Sequence, residues 1–213
     1  MADIIIIIFY LCVLIFSAIV HEVAHGYVAE RLGDPTARLA GRLTLNPISH
    51  LDPFGSILLP LILYFSTGGS VVFGWAKPVP YNPNYLKDPK LGAGKIAAAG
   101  PISNLAIAGI FGIILRIATA AGYGASPLLL LLSIVIYTNV LLAIFNLMPI
   151  PPLDGSKVLF ALLPRTMQMH ELEHFLNRYG FYILIAFVLF GFSLIVPIVQ
   201  FIYFLIAGVP FGG

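Results

Sequence analysis

Charged side chains are scarce in this chain: Asp, Glu, Lys and Arg make up 9% of its 213 residues against 60% hydrophobic, with a mean hydropathy of +1.00. Too little polar surface remains to coat a soluble globule of that size, which leaves an integral membrane protein. Cysteine is nearly missing as well. Cys12 stands alone, so neither an intramolecular disulfide nor a cysteine zinc cluster can form, and Cys12 reads as a small core hydrophobe. No basic stripe is present, which argues against nucleic acid as a partner. No polar stretch is long enough for a second soluble unit, so residues 1–213 read as one membrane domain. The opening apolar run lacks the basic start and small-residue cleavage site of a secretory leader and is expected to be a retained span.

What the chain has in quantity is long apolar runs. Four are close to or above the roughly 20 helical residues that cross a hydrocarbon core of about 30 Å: Ile4–Ala29, Ile96–Ala121, Leu128–Met148 and Phe181–Val209. The last contains Pro197, which is compatible with one kinked span or with a span followed by an interfacial helix. A fifth block, Phe54–Trp75, is interrupted by Thr67, Gly68 and Gly69. It has basic residues on both sides: Arg31, Arg38 and Arg42 before it, Lys77, Lys87, Lys90 and Lys95 after it. The positive-inside rule puts both flanks in the cytoplasm, so the block is expected to be a re-entrant hairpin or two short passes. The expected fold is an all-α polytopic membrane protein of about four to six transmembrane helices, with a re-entrant or β-hairpin segment near residues 54–81. Lys157, Arg165 and Arg178 place their loop in the cytoplasm too, while the uncharged Gly122–Pro127 loop and the N-terminus fall outside.

At the end of the first apolar run stands His21-Glu22-Val23-Ala24-His25, an HExxH sequence. On a helix both histidines share one face and can hold a single Zn²⁺, with Glu22 aimed at a metal-bound water. Three ionisable side chains within five residues are expensive in hydrocarbon unless a partner offsets their desolvation, which makes them functional candidates. A second copy, His170-Glu171-Leu172-Glu173-His174, lies in a charged segment with no Asp, Glu or His after it to serve as third ligand, so it reads as an exposed amphipathic helix.

A catalytic zinc usually takes three protein ligands and keeps one position open. Asp154 is the candidate third ligand. It follows Pro149, Pro151 and Pro152, which stop the third span from continuing as a helix and allow the chain to turn back toward the first. His21 lies 17 residues past Ile4 and Asn146 lies 18 past Leu128, each about 26 Å along its helix, so both motifs reach the cytoplasmic leaflet together. Read in isolation, Asp154-Gly155 would be a turn. His50 and Asp52 sit among prolines and read as structural loop residues, Arg116 as a side chain snorkelling to the interface, and the Phe and Tyr residues as lipid-facing and core bulk.

Taken together these motifs resemble the site-2 protease family of intramembrane zinc metalloproteases, peptidase family M50, in its short prokaryotic branch without PDZ or CBS domains. The resemblance rests on His21 to Gly26, on Asn146 to Gly155, which fits the pattern NxxPxPxLDG, on Gly100-Pro101-Ile102-Ser103-Asn104, and on Phe73 to Pro80. It implies His21, His25 and Asp154 as ligands of one zinc per chain and Glu22 as general base. It also implies Asn146 or Asn104 as holder of the substrate carbonyl or developing oxyanion, although a buried Asn in a span is more often a helix-to-helix hydrogen-bond partner. Substrates would be transmembrane segments of other proteins, cut in the lipid bilayer of a prokaryotic plasma membrane with the active site toward the cytoplasmic leaflet. The segment Gly69–Tyr81 would offer an edge strand to an unwound substrate. The competing reading is a membrane metal-ion transporter using the same histidines.

Overall fold

The structure, a computed structural model, describes residues 2–66, 77–123 and 126–211. In a bilayer every backbone N–H and C=O must find its partner within the chain, so apolar runs coil into helices even where β-branched residues such as Ile4 to Ile8 disfavour them. The long elements are α1 (Ala2–Arg31), α4 (Pro89–Ala120), α5 (Pro127–Asn146) and α7 (Met167–Ala186). Shorter ones are α2 (Thr36–Leu39), α3 (Leu59–Ser66), α6 (Asp154–Leu162) and α8 (Val196–Ala207). Among the described residues four helices are long and apolar enough to cross a membrane, Ile4–Arg31, Pro89–Ala120, Pro127–Asn146 and Met167–Leu194. The chain is a multi-pass, all-α membrane protein.

Caps and prolines set where the spans begin. Asp88 accepts hydrogen bonds from Lys90 N and Leu91 N, both at 3.0 Å, with Pro89 in the first turn of α4. Ser126 likewise caps α5 ahead of Pro127, accepting from Leu128 N. These pairs satisfy the exposed first-turn donors and preset the helical φ.

Helix α4 is the hub. Its buried stripe Gly92, Ile96, Gly100, Asn104, Ala108, Gly112 recurs every four residues and so lies along one face. The small members let neighbours approach closely. A Cβ on Gly94 would stand 2.3 Å from Ala161 Cβ of α6, and one on Gly112 would stand 2.3 Å from Ile206 Cγ2 of α8. A core of Ala108, Leu115, Leu132, Ile136, Val140, Val199, Tyr203 and Ala207 joins α4, α5 and α8, and the Tyr203 hydroxyl donates to Ser133 Oγ at 2.9 Å.

Four sequence expectations are refined or corrected. The last apolar block is broken: α7 ends in a wide turn, Phe187–Gly191, and a tight one, Phe192–Leu194, and α8 restarts with Pro197 in its first turn. The last candidate span therefore begins at Met167, well before Phe181, and carries the second HExxH sequence in it. Arg116 does more than snorkel. Its Nε donates to Ile206 O at 2.8 Å and Nη2 to Leu205 O at 2.5 Å, covering the terminal carbonyls of α8 beside left-handed Gly208. Cys12 lies on an exposed face of α1, as Ile8 and Phe16 do, rather than in a core. Finally, residues 53–66 are helical, a wide turn running into α3. They extend only about 21 Å, short of a bilayer core. The expected edge strand falls mostly on residues 67–76, outside the described residues, and 77–81 form no strand.

The α4–α8 contact gives a stability test. Gly112→Ala should destabilise the protein by about 1–3 kcal/mol through overpacking against Ile206. Gly109→Ala, three residues away with open space at its Cβ, should be neutral or gain about 0.5–1 kcal/mol from helix propensity. Thermal unfolding in detergent micelles compares them, and equal melting temperatures would contradict the packing described.

Candidate metal centre

Ser17, His21 and His25 follow one another at four-residue spacing on α1, and all three are buried. They face Asn104, Gly100 and Ile96, spaced by four on α4 in the opposite order, so α1 and α4 run antiparallel. His21 Nδ1 lies 2.6 Å from Asn104 Oδ1, and His25 Nδ1 lies 2.7 Å from Ile96 O. Asn104 is oriented by its other contacts: Nδ2 donates to Ser17 O at 3.3 Å and to Asn139 Oδ1 at 2.9 Å. Its Oδ1 therefore accepts, and His21 Nδ1 donates. A carbonyl fixes the same tautomer for His25. Asn139 of α5 completes the network by donating to Ser17 Oγ and Val135 O, each at 2.9 Å.

With both Nδ1–H groups engaged, the Nε2 atoms of neutral rings carry lone pairs. Asp154 Oδ2 stands 3.0 Å from His21 Nε2 and 3.2 Å from His25 Nε2. Three lone-pair atoms within 4.8 Å of one another repel unless a cation lies among them. A proton on the imidazoles is the other way to relieve that repulsion: burial pushes the Asp154 carboxyl up, but hydrogen bonds and charge from protonated His21 and His25 then hold it well below the usual carboxylate range. Two imidazoles and one carboxylate, with the carboxylate oxygen about 3 Å from each ring nitrogen, suit the tetrahedral preference of Zn²⁺ and leave a fourth position. The residues present therefore fit a zinc ion.

Asp154 arrives because α5 stops at Asn146 and the proline-rich turn leads directly into α6, of which Asp154 is the first residue. A carboxylate in the first turn also suits the helix dipole. Gly155 is required by close approach: a Cβ there would stand 2.1 Å from Leu147 O. Gly100 has a like role, since its Cβ would stand 2.4 Å from His21 Nε2 and 2.6 Å from His25 Cε1. Glu22, half-buried, accepts from Val79 N–H at 2.9 Å through Oε2.

The structure brings His21, His25 and Asp154 together and sets Asn104 behind His21. Asn104 is fully buried, and both functional ends of its amide are engaged by protein groups. This arrangement suits orienting His21 rather than meeting a substrate carbonyl. Asn146 ends α5 with Nδ2 bonded to Leu142 O of its own helix. His170 and His174 are exposed on α7, and among the described residues the group of ligating side chains close enough to share an ion contains neither. His50 is buried in a tight turn with Nε2 on Thr44 O, and Asp52 caps the turn after it, accepting from Phe54 N and Gly55 N. Sequence reasoning missed Ser17 and Asn139, and it gave Gly100 a place in a motif but no role. A polar residue within the Leu128–Met148 run was the available signal for Asn139.

The chain is similar in sequence to known proteins. A family profile described as Peptidase family M50 matches residues 113–189. "Putative zinc metalloprotease YwhC" of Bacillus subtilis (strain 168) is 40% identical over 178 residues, covering 81% of this chain and 76% of that protein. "Putative zinc metalloprotease Rip2" of Mycolicibacterium smegmatis is 31% identical over 146 residues, 66% of this chain and 52% of that one. "Putative zinc metalloprotease MJ0611" of Methanocaldococcus jannaschii is 45% identical over 67 residues, 31% of this chain and 32% of its own. No solved structure matches.

Gly100→Ala tests the centre without replacing a ligand residue. Its Cβ should displace both imidazoles and weaken metal retention by roughly 10–100-fold, the range typical of disturbed groups behind metal ligands. Metal content after dialysis against graded chelator measures this in a protein whose helicity is unchanged. Retention equal to the parent's would remove Gly100 from the centre.

Proposed function

Since the chain belongs to peptidase family M50, we propose that it is a zinc metalloprotease hydrolysing peptide bonds within or next to transmembrane segments of other proteins. The observation that carries this reading is the convergence of Asp154, at the start of short α6, on His21 and His25 of α1, a helix of membrane-spanning length that also carries Glu22. His21, His25 and Asp154 would hold one zinc. Bound there, zinc supplies a Lewis acid that brings the pKa of its water toward about 7.

The remaining roles fall to the chain. Glu22 is the general base: with Oε2 accepting from Val79 N–H, Oε1 takes the proton of the attacking water and then delivers it to the leaving amine. Asn104 holds His21 in the tautomer that presents Nε2. Asn146, at the open end of α5, is the Asn assigned to the substrate carbonyl. A cleft of about 1040 Å³ between α4, α6 and α7 takes in Pro151, Pro152 and Ser156, close to Asp154 in the chain, without including the three ligand side chains; water would enter from this side. Glu22 also favours hydrolysis over ion transit, because a transport site has no use for a base seated on a backbone N–H beside three closed ligands.

Glu22→Gln should reduce cleavage of a transmembrane substrate in proteoliposomes by at least 10²-fold, the lower range for losing general-base catalysis, with about one zinc per chain retained. His170→Ala and His174→Ala should cleave as the parent does. Zinc-loaded Glu22→Gln that still cleaves would refute the reading.

The site would face the cytoplasm of a prokaryotic cell, because the basic residues Arg31, Arg38, Lys87 and Arg165 lie around the ends of the helices that carry it. In a Cys12→Ala background, cysteines at Lys87 and Arg165 should resist an impermeant thiol reagent in intact cells, and one at Tyr123 should label. The reverse pattern would invert the topology.

A further inference from the structure

Residues 77–82 lie across α1 and are fastened at both ends. At one end Lys77 N–H donates to His50 O at 2.9 Å. Arg42 reaches the same place: Nη2 donates to Lys77 O at 2.6 Å and Pro78 O at 3.4 Å, and Nη1 donates to Ser49 O. At the other end Asn82 N–H donates to Asp34 Oδ2 at 2.6 Å, while Thr36 occupies Oδ1. Between the two ends sits Val79, whose N–H is the group on Glu22.

Arg42 is 8% exposed, and among the described residues the partners of its guanidinium are all carbonyls. Burying a guanidinium with no carboxylate beside it is costly, so the fork must return something specific. It ties the 42–50 loop to the two residues immediately before Val79. Its backbone N–H is itself anchored on Ala37 O of α2 at 2.9 Å. Gly26, one helical turn after Glu22, supplies the seat. A Cβ there would stand 2.5 Å from Leu43 Cδ2, 3.0 Å from Val79 Cγ1 and 3.1 Å from Ala37 Cβ. The loop next to Arg42 and Val79 itself thus rest on the same bare patch of α1.

We propose that Arg42 is a positioning residue for Glu22: by holding the Lys77 and Pro78 carbonyls it fixes the Val79 N–H that engages Oε2, and so keeps Oε1 as the oxygen that exchanges the proton. This rests on Glu22 being the general base. Lysine would retain the charge but offers no planar fork to gather carbonyls of two segments.

The experiment uses the full-length zinc-loaded protein with three changes: Arg42→Lys, Arg42→Gln, and an amide-to-ester replacement at residue 79 that exchanges its N–H for oxygen and keeps the side chain. In all three, kcat should fall at least tenfold with KM and zinc per chain unchanged. Independently of activity, hydrogen exchange of the 77–82 peptide should accelerate in both Arg42 variants; Pro78 and Pro80 have no amide, so the signal comes from few positions. Unchanged exchange in the Arg42 variants would overturn the clamp. Faster exchange with full kcat would overturn its link to Glu22. Should the Arg42 variants fail to fold, the ester decides, and its full activity overturns the proposal. Failure of the hydrolase reading is distinct, because it appears as an active Glu22→Gln protein, whereas failure here appears as active Arg42→Lys and ester proteins beside an inactive Glu22→Gln.

Discussion

The antiparallel contact between α1 and α4 is the constraint on which the rest of the molecule depends. Imidazoles within the length of a membrane span have little water to hydrogen-bond, so each Nδ1–H must be met by protein. Helix α4 meets both, with a side-chain carbonyl at Asn104 and a main-chain carbonyl at Ile96. It can do so only because Gly100 lies between them, bare enough to lie against both rings. Once those donors are fixed, the Nε2 atoms have one remaining direction, and the position of Asp154, hence of α6 and the end of α5, follows from where they point.

The polar network behind His21 extends that constraint to a third helix. Ser17, Asn104 and Asn139 are all buried and satisfy one another across α1, α4 and α5. A partly satisfied polar cluster in an apolar surround would be a liability, whereas a closed one specifies a single register for three helices. The same hydrogen bonds therefore orient a ligand and align the bundle.

Much of this was legible in the sequence, for identifiable reasons. The histidine pair and Asp154 stand out because ionisable residues are conspicuous against long apolar runs, and prolines mark where a span must stop. What could not be read depends on distances between helices. Nothing local distinguishes Gly100, beneath two imidazoles, from Gly109, which faces open space. Gly155 invites the reading of a turn, whereas its bareness is needed for the Leu147 carbonyl to pass. Arg116 near the end of an apolar run looks like a snorkelling side chain until α8 is seen to end beneath it. The break before Pro197 was visible as a proline, but whether it kinks one helix or divides two depends on Val199, Tyr203 and Ala207 packing into the α4–α5 core.

The separation of 133 positions from His21 to Asp154 also sets an order of events during synthesis. At roughly 5–20 residues per second, His21 leaves the ribosome on the order of ten seconds before Asp154. For that interval the nascent first helix carries an incomplete donor set. Helix α4 supplies the Nδ1 partners midway, and the third ligand comes only when the turn after α5 has been made. With the proposed ligand set, metal capture with full affinity would be a late step of biogenesis, available only after three spans are threaded. An unfinished chain would then lack the third ligand, so truncated products in the membrane would carry no competent centre.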